Sequence, residues 1–290
     1  MDAVQLSAAL VSYAPEAPAS WDTMLETARA YDRAARPEIG GQRGGRQPTG
    51  PDGHWLEPLT ALSVIAGATE RVRLSTGILL AALRRPVVLA KAAATLDVLS
   101  GGRLDLGVGV GWQREEYEAA GLEFGQRGRL LDHTLEVCTA LWTERVERYQ
   151  SPELAFDRIH MMPKPAQPGG VPLWISGTVN ARVVDRLCRF GLRWIPWGDD
   201  ASDIARGIVA MRERIAATGT SPDGLQVVAN LRVRKNDAGE IDLAETMAAV
   251  PALVAAGATD LRVRFPALAP HQHADAVLGD FVAAFRRAAA

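Results

Sequence analysis

The stretch RVRLSTGILLAALRRPVVLAKAAATLDVLSGGRLDLGVGVGW, Arg71 to Trp112, constrains the fold more than any other part of the chain. It reads as strand, turn, helix, turn, strand. Val72 to Leu74 is a short β-prone run that ends at Thr76-Gly77. Pro86 falls where a helix takes its first residue, because its missing N–H would be unpaired there anyway. Leu89, Ala93, Leu96 and Leu99 then recur at helical spacing. Ser100-Gly101-Gly102 stops that helix, since glycine reaches left-handed angles without a Cβ clash. Leu104, Leu106, Val108 and Val110 alternate along the second strand, with Gly107, Gly109 and Gly111 between them. A strand without side chains on one face is either thinned for packing or lets a flat ligand approach its backbone.

The same strand–helix alternation runs through most of the 290 residues. Gln5 to Val11 is a strand. A helix capped by Ser20 carries Trp21, Met24, Leu25 and Ala28 to about Ala35, and another starts near Glu57-Pro58. A long helix with Leu131, Leu135, Cys138 and Trp142 follows the organising stretch. The proline-rich segment from Arg145 to Pro172 is expected to have little regular structure. LWISG, LRWIPWG, LQVVANLRVRK and TDLRVRF are later strands, each trailed by a helix; Pro251 is expected to kink one of these. Repeated β–α units build a parallel sheet with right-handed crossovers. Seven strands can be read where a closed (β/α)8 barrel needs eight. The missing one is the second, because RPEIGGQRGGRQPTGPDGHWL, which follows Ala35, shows no strand pattern. That segment is expected to cover the seam left between strands one and three, with Ile39 and Trp55 as its apolar anchors. No linker divides the chain, so residues 1–290 read as one α/β domain.

Charge and composition exclude several functions. The formal net charge is −2, and 48% of residues are hydrophobic. No basic stripe suggests nucleic acid or an anionic membrane, and no apolar run spans a bilayer. The N-terminus lacks a secretion signal, and Cys138 and Cys188 read as buried thiols, so the expected setting is the cytoplasm. His54, His133, His160, His271 and His273 show no metal-ligand spacing with a carboxylate, so no metal is expected. His54 differs only in lying in the anomalous segment before Trp55 and Glu57. Gly107-Val-Gly-Val-Gly111 lacks the G-x-G-x-x-G spacing of a dinucleotide fingerprint. There is no nucleophile elbow. Glu115 and Glu116 read as the first turn of the next helix. WISGTVNAR places Ser176-Gly177-Thr178 between a strand and a helix, where N–H groups and the helix dipole suit a phosphate; an ordinary N-cap is the other reading. No self-sufficient acid–base site emerges, so a cofactor is expected to carry the chemistry.

From Trp55 to about Gly198 the chain resembles the bacterial luciferase-like monooxygenase superfamily, and within it the F420-dependent oxidoreductase branch. The motifs that carry this are PLTALSVIAGATERVRLSTGIL, RRPVVLAKAAATLDVLSGGRLDLGVGVGW, PKPAQPGGVPLWISG and WIPWG. The resemblance implies a TIM-type (β/α)8 barrel, here lacking its second strand, with a deazaflavin or flavin across the C-terminal strand ends. It implies a non-proline cis peptide at Gly77-Ile78, with Gly77, Ile78 and Leu79 behind the ring. Gly109, Gly111 and Trp112 would line the ring pocket, and Ser176, Gly177 and Thr178 would take the phosphate. The chain departs from the family where the second strand usually supplies an Asp-His pair and where some relatives place a carboxylate, here Trp112. No catalytic residue is therefore assigned.

Three functions follow from the resemblance. The leading one is hydride transfer between F420 and a small organic substrate. The second is an FMN-dependent monooxygenase supplied with reduced flavin by a partner reductase. The third is a non-catalytic flavin or F420 binder with a degenerate barrel. F420 adds an acidic tail to the shared tricyclic ring and ribityl phosphate, so a basic rim would favour it. A homodimer is the expected assembly.

Overall fold

A computed structural model describes residues 4–8, 13–14, 25, 28–29, 54–143, 147–265 and 274–289. The helix expected after Ser20, and most of the segment expected to cover the seam, lie outside the described residues.

Seven strands make one curled, all-parallel sheet: β1 (Gln5–Ala8), β2 (Leu74–Ser75), β3 (Leu104–Val108), β4 (Leu173–Gly177), β5 (Arg193–Pro196), β6 (Gln226–Leu231) and β7 (Asp260–Val263). Their order is β1-β7-β6-β5-β4-β3-β2, with every neighbouring pair parallel. This is the order of a (β/α) barrel read backwards from the first position to the third. Among the described residues no strand stands between β1 and β2, and the two do not pair. His54–Trp55, inside the segment read as strandless, does form a short strand, but it pairs antiparallel with Tyr13–Ala14 outside the sheet.

The main helices pack outside. They are α1 (Pro58–Ala68), α2 (Pro86–Leu99), α3 (Arg114–Ala119), α4 (Arg127–Thr143), α5 (Ala181–Phe190), α6 (Ile204–Ala216), α7 (Val250–Ala255) and α8 (Ala274–Ala288). Glu57 caps α1 by accepting from Thr60 N at 2.7 Å, and its other oxygen pairs with Arg84 at 2.6 Å. Pro86 opens α2 as expected, and Gly101 and Gly102, at φ 71° and 79°, close it. Leu89, Ala93 and Leu96 on α2 share the main core with Leu131, Leu135 and Leu141 on α4 and with Leu104, Leu106 and Val108 on β3. Burying one such leucine stabilises the fold by about 1.5–3 kcal/mol.

Three elements differ from the sequence reading. Glu147–Gln150 pairs antiparallel with Ala155–Ile159 inside the segment expected to be irregular. Ser151 Oγ turns this hairpin by accepting from Glu153 N at 3.2 Å and Leu154 N at 3.1 Å, and Tyr149 and Phe156 stack at 5.8 Å. Its strands are mostly exposed and charged, so they carry no apolar run. Pro251 sits in the first turn of α7 rather than kinking a longer helix. Cys138 is fully buried, but Cys188 is only half-buried.

Polar contacts at the N-terminal end of the sheet fix the height of β2 against β3. Arg103 donates to the carbonyls of Ala66, Thr69 and Val72 at 2.8–2.9 Å, tying α1 to the start of β2. Arg73 Nε pairs with Asp105 at 2.6 Å. Asp97, fully buried, accepts from Leu104 N at 3.3 Å, Gln167 N at 3.1 Å and Gln167 Nε2 at 2.8 Å. These bonds set where the turn after β2 emerges at the other end of the sheet.

Candidate functional site

That other end, beyond the carboxyl termini of the strands, opens into a cavity of about 2710 Å³. Parallel β/α sheets place ligands at this end. Ile78, Ile195 and Val228 line the cavity, packed together with Trp174, which lies beneath the lining, in a small apolar cluster.

All nine residues singled out from the sequence line this cavity: Gly77, Ile78, Leu79, Gly109, Gly111, Trp112, Ser176, Gly177 and Thr178. The Gly77–Ile78 peptide is cis. Leu79 is 1% exposed and contributes mainly backbone: its N–H donates to Gly107 O at 2.7 Å, and its carbonyl accepts from Gly109 N at 3.2 Å. The glycines of β3 and its extension make room for this turn rather than directly for a ligand. A Cβ on Gly107 would lie 2.0 Å from Thr76 O; one on Gly109 would lie 2.4 Å from Ile78 Cδ1; one on Gly111 would meet Leu80 Cδ2 at 2.9 Å. The chain's own loop therefore fills the stripped face, and that loop forms the cavity wall. Tyr117 pins the other side of the Gly109–Trp112 segment by donating from its hydroxyl to Val110 O at 2.7 Å. Burial pushes the Tyr117 phenol up to about 12, so it stays a donor.

The turn after β4 is partly committed already. Asn180 caps α5, its Oδ1 accepting from Arg182 N at 3.0 Å and Val183 N at 3.1 Å. Asp200, 9% exposed, accepts from Val179 N at 2.8 Å. Both readings of the sequence thus meet here: the helix has an ordinary N-cap, and Ser176–Thr178 still face the cavity. Gly177 is required by packing, because a Cβ would come within 2.6 Å of Val183 Cγ2.

The charge around the cavity is lopsided. Among the described residues nine cationic ones line it: Arg84, Arg127, Arg182, Arg186, Arg232, Arg234, Lys235, Arg262 and Arg264. Glu116 and Glu245 are the carboxylates among the described lining residues. Arg84 pairs with Glu57 and Arg186 with Asp132, while Arg127 lies over the Phe124 ring at 3.9 Å. Glu116 sits on α3 facing this space; burial, then the neighbouring Glu115, holds its carboxyl above the ordinary value of 4.5. Among the described residues no group of three His, Cys, Asp or Glu could hold a metal ion, and no helix is long and apolar enough to cross a membrane.

A family model for luciferase-like monooxygenases matches residues 5–286. This chain belongs to the luciferase-like monooxygenase family. Uncharacterized proteins of Mycobacterium bovis and Mycobacterium tuberculosis are 33% identical to it over 179 residues, covering 62% of this chain and 62% of each relative. The match thus spans less than two thirds of the length of these curated relatives. A phthiodiolone/phenolphthiodiolone dimycocerosates ketoreductase of M. tuberculosis is 33% identical over 171 residues, 57% of this chain and 44% of the relative. Among solved structures, monooxygenase RslO1 from Streptomyces bottropensis superposes with a TM-score of 0.78 at 17% identity, covering 99% of this chain and 100% of that one. An F420-dependent secondary alcohol dehydrogenase, in complex with an F420-acetone adduct, gives 0.77 at 15% identity, covering 98% and 99%. These two likenesses concern the fold.

Within the luciferase-like barrel, sequence reasoning found the turns after β2, β3 and β4 and missed what lies elsewhere around the mouth. Glu116 read as a helix-start residue. Arg262 had a usable signal: in DLRVRF, Leu261, Val263 and Phe265 alternate with charges, so one face of a barrel strand is charged where packing calls for apolar groups. The remaining cations come from loops far apart in the chain and left no local mark.

Proposed function

We infer that this luciferase-like chain is an F420-dependent oxidoreductase that moves a hydride between the deazaflavin and a small organic substrate. The observation that carries this reading is the excess of cations around the cavity, nine against two carboxylates among the described residues. The exposed Arg182, Arg232, Arg234 and Lys235 line the same cavity and would answer an acidic tail. FMN has no such tail and would leave this charge unanswered.

The residues present fit such a cofactor. The apolar side chains of Ile78, Ile195 and Val228 offer an apolar surface for a flat ring. Glycines at 107, 109 and 111 allow the turn after β2 to close the wall beside it. When bound, the deazaflavin supplies the carbon that accepts or donates the hydride. The chain's part is to position and to exclude water. The Gly77–Leu79 turn and Gly109, Gly111 and Trp112 would hold the ring, and the N–H groups of Ser176–Thr178 would hold the phosphate. Glu116, with its raised carboxyl, is the group on the wall suited to hold a proton at its side-chain oxygens.

The test is titration of the purified chain with F420 and, separately, with FMN, followed by fluorescence and absorbance. F420 should bind more tightly, and added salt should weaken F420 more than FMN. Tighter binding of FMN, or an F420 affinity indifferent to salt, would transfer the chain to the flavin-dependent side of the family.

A further inference from the structure

We propose that the cavity takes a substrate bearing a carboxylate, a small 2-oxo or 2-hydroxy acid, held by Arg262 with Asn230 beside it. This rests on the reading of the cavity as a joint cofactor and substrate site, and it adds the chemical class of the second occupant.

Arg262 differs from the other cations of the cavity. Arg232, Arg234, Lys235 and Arg264 are exposed, whereas Arg262 is 8% exposed and sits on β7, inside the sheet. Its Nε has no hydrogen-bond partner among the described residues, yet its side chain lines the cavity. Asp260, two residues earlier on the same face, accepts from Ser7 Oγ at 2.5 Å. Among the described residues no carboxylate forms an ion pair with the Arg262 guanidinium. A buried guanidinium that makes no ion pair with a described carboxylate is costly, and an anion that arrives with the ligand lowers that cost.

The neighbour narrows the chemistry. Asn230 on β6 is the register partner of Arg262, and in-register residues on adjacent strands stand about 4.8 Å apart on one face. Its side chain is exposed and lines the same cavity. A guanidinium grips a carboxylate with two parallel N–H bonds. An amide beside it can give or take a hydrogen bond from an oxygen on the next carbon. One buried guanidinium matches one negative charge, which favours a carboxylate over a doubly charged phosphate. Arg186, the other buried arginine of the lining, is already paired with Asp132.

The experiment compares pyruvate with pyruvamide, which replaces the carboxylate by a neutral amide. Calorimetry on the full chain, with and without F420, should show pyruvate binding more tightly than the amide by about tenfold or more. Arg262→Met should lower pyruvate affinity by about tenfold or more, leaving affinity for the amide and for F420 within about twofold. Equal affinity of the wild-type chain for the two probes would overturn the proposal, as would unchanged pyruvate binding by Arg262→Met. If that variant does not fold, the wild-type comparison and its loss at high salt still decide. Pyruvate bound without any F420 binding would sink the cofactor reading and leave Arg262 in place. F420 bound with no preference for pyruvate would do the reverse.

Discussion

Replacing Gly107 by alanine would force the turn after β2 away from β3. The new Cβ would lie 2.0 Å from Thr76 O, 3.2 Å from Thr76 C and 3.0 Å from Ile195 Cδ1. A relaxed carbon–oxygen contact is about 3.3 Å, so the Thr76 carbonyl must retreat by about 1.3 Å. That backbone is held: Thr76 Oγ1 and Leu79 N both donate to Gly107 O at 2.7 Å, and Gly109 N donates to Leu79 O at 3.2 Å. Each bond lost costs about 0.5–1.5 kcal/mol, and overpacking adds about 1–3 kcal/mol. The expected loss is about 4 kcal/mol, a large part of a domain's stability of about 5–15 kcal/mol. The same change at Gly109 meets Ile78 Cδ1 at 2.4 Å, the tip of a side chain that can turn aside. An off-rotamer isoleucine costs about 1 kcal/mol, so Gly109→Ala should stay folded while disturbing the cavity wall. Urea denaturation followed by tryptophan fluorescence should rank wild type above Gly109→Ala and Gly109→Ala well above Gly107→Ala. A Gly107→Ala midpoint at or above that of Gly109→Ala would refute the claim that these glycines serve the chain's own loop.

Asp97→Ala removes the acceptor of Leu104 N and Gln167 N and one of the two acceptors of Gln167 Nε2, which keeps Leu104 O. It should cost about 3 kcal/mol in urea denaturation, and a loss under about 1 kcal/mol would show that the network matters little. Glu116 binds its proton more tightly folded than unfolded, because burial raises its carboxyl above 4.5. Its contribution to stability is therefore fully present in acid and is lost as pH rises above about 4.5, so the melting temperature of the wild type should drop relative to Glu116→Gln as pH rises through and above that value. Parallel profiles would remove Glu116 from the wall of the cavity as an ionising group. Burial pushes the Cys138 thiol up beyond its usual range, while Cys188 is half-buried. A disulfide reagent should label Cys188 in the folded chain and Cys138 only after denaturation; equal rates would contradict the packing around α4.

The local grammar of residues 71–112 was legible because its signals are short-range. Pro86 and the Gly101-Gly102 pair act on their own backbone, and the strands between them follow from apolar spacing. The parallel sheet was legible from alternation alone. The purpose of the β3 glycines was not, since a bare face says that something comes close without saying what does. The hairpin at residues 147–159 was hidden by its exposure, which removes the apolar pattern on which strands are recognised. The cationic mouth was hidden by distance. Arg84, Arg182, Arg234 and Arg264 meet only after the sheet curls, and a net charge of −2 gives no hint of it.

Asp200 has a consequence for ligand choice. Its carboxylate takes the Val179 N–H at 2.8 Å, and Arg206 comes only within 3.8 Å of its other oxygen. Any phosphate seated at Ser176–Thr178 therefore has a negative charge one residue away. A phosphate monoester, such as that of FMN, gains a second charge at about pH 6, whereas a diester, such as that of F420, keeps one at every physiological pH. Repulsion from Asp200 grows with pH for the first and stays constant for the second. With a phosphate held there, the turn after β4 would act as a valence filter, sorting phosphates by how many charges they carry through a side chain that bonds the backbone of the turn.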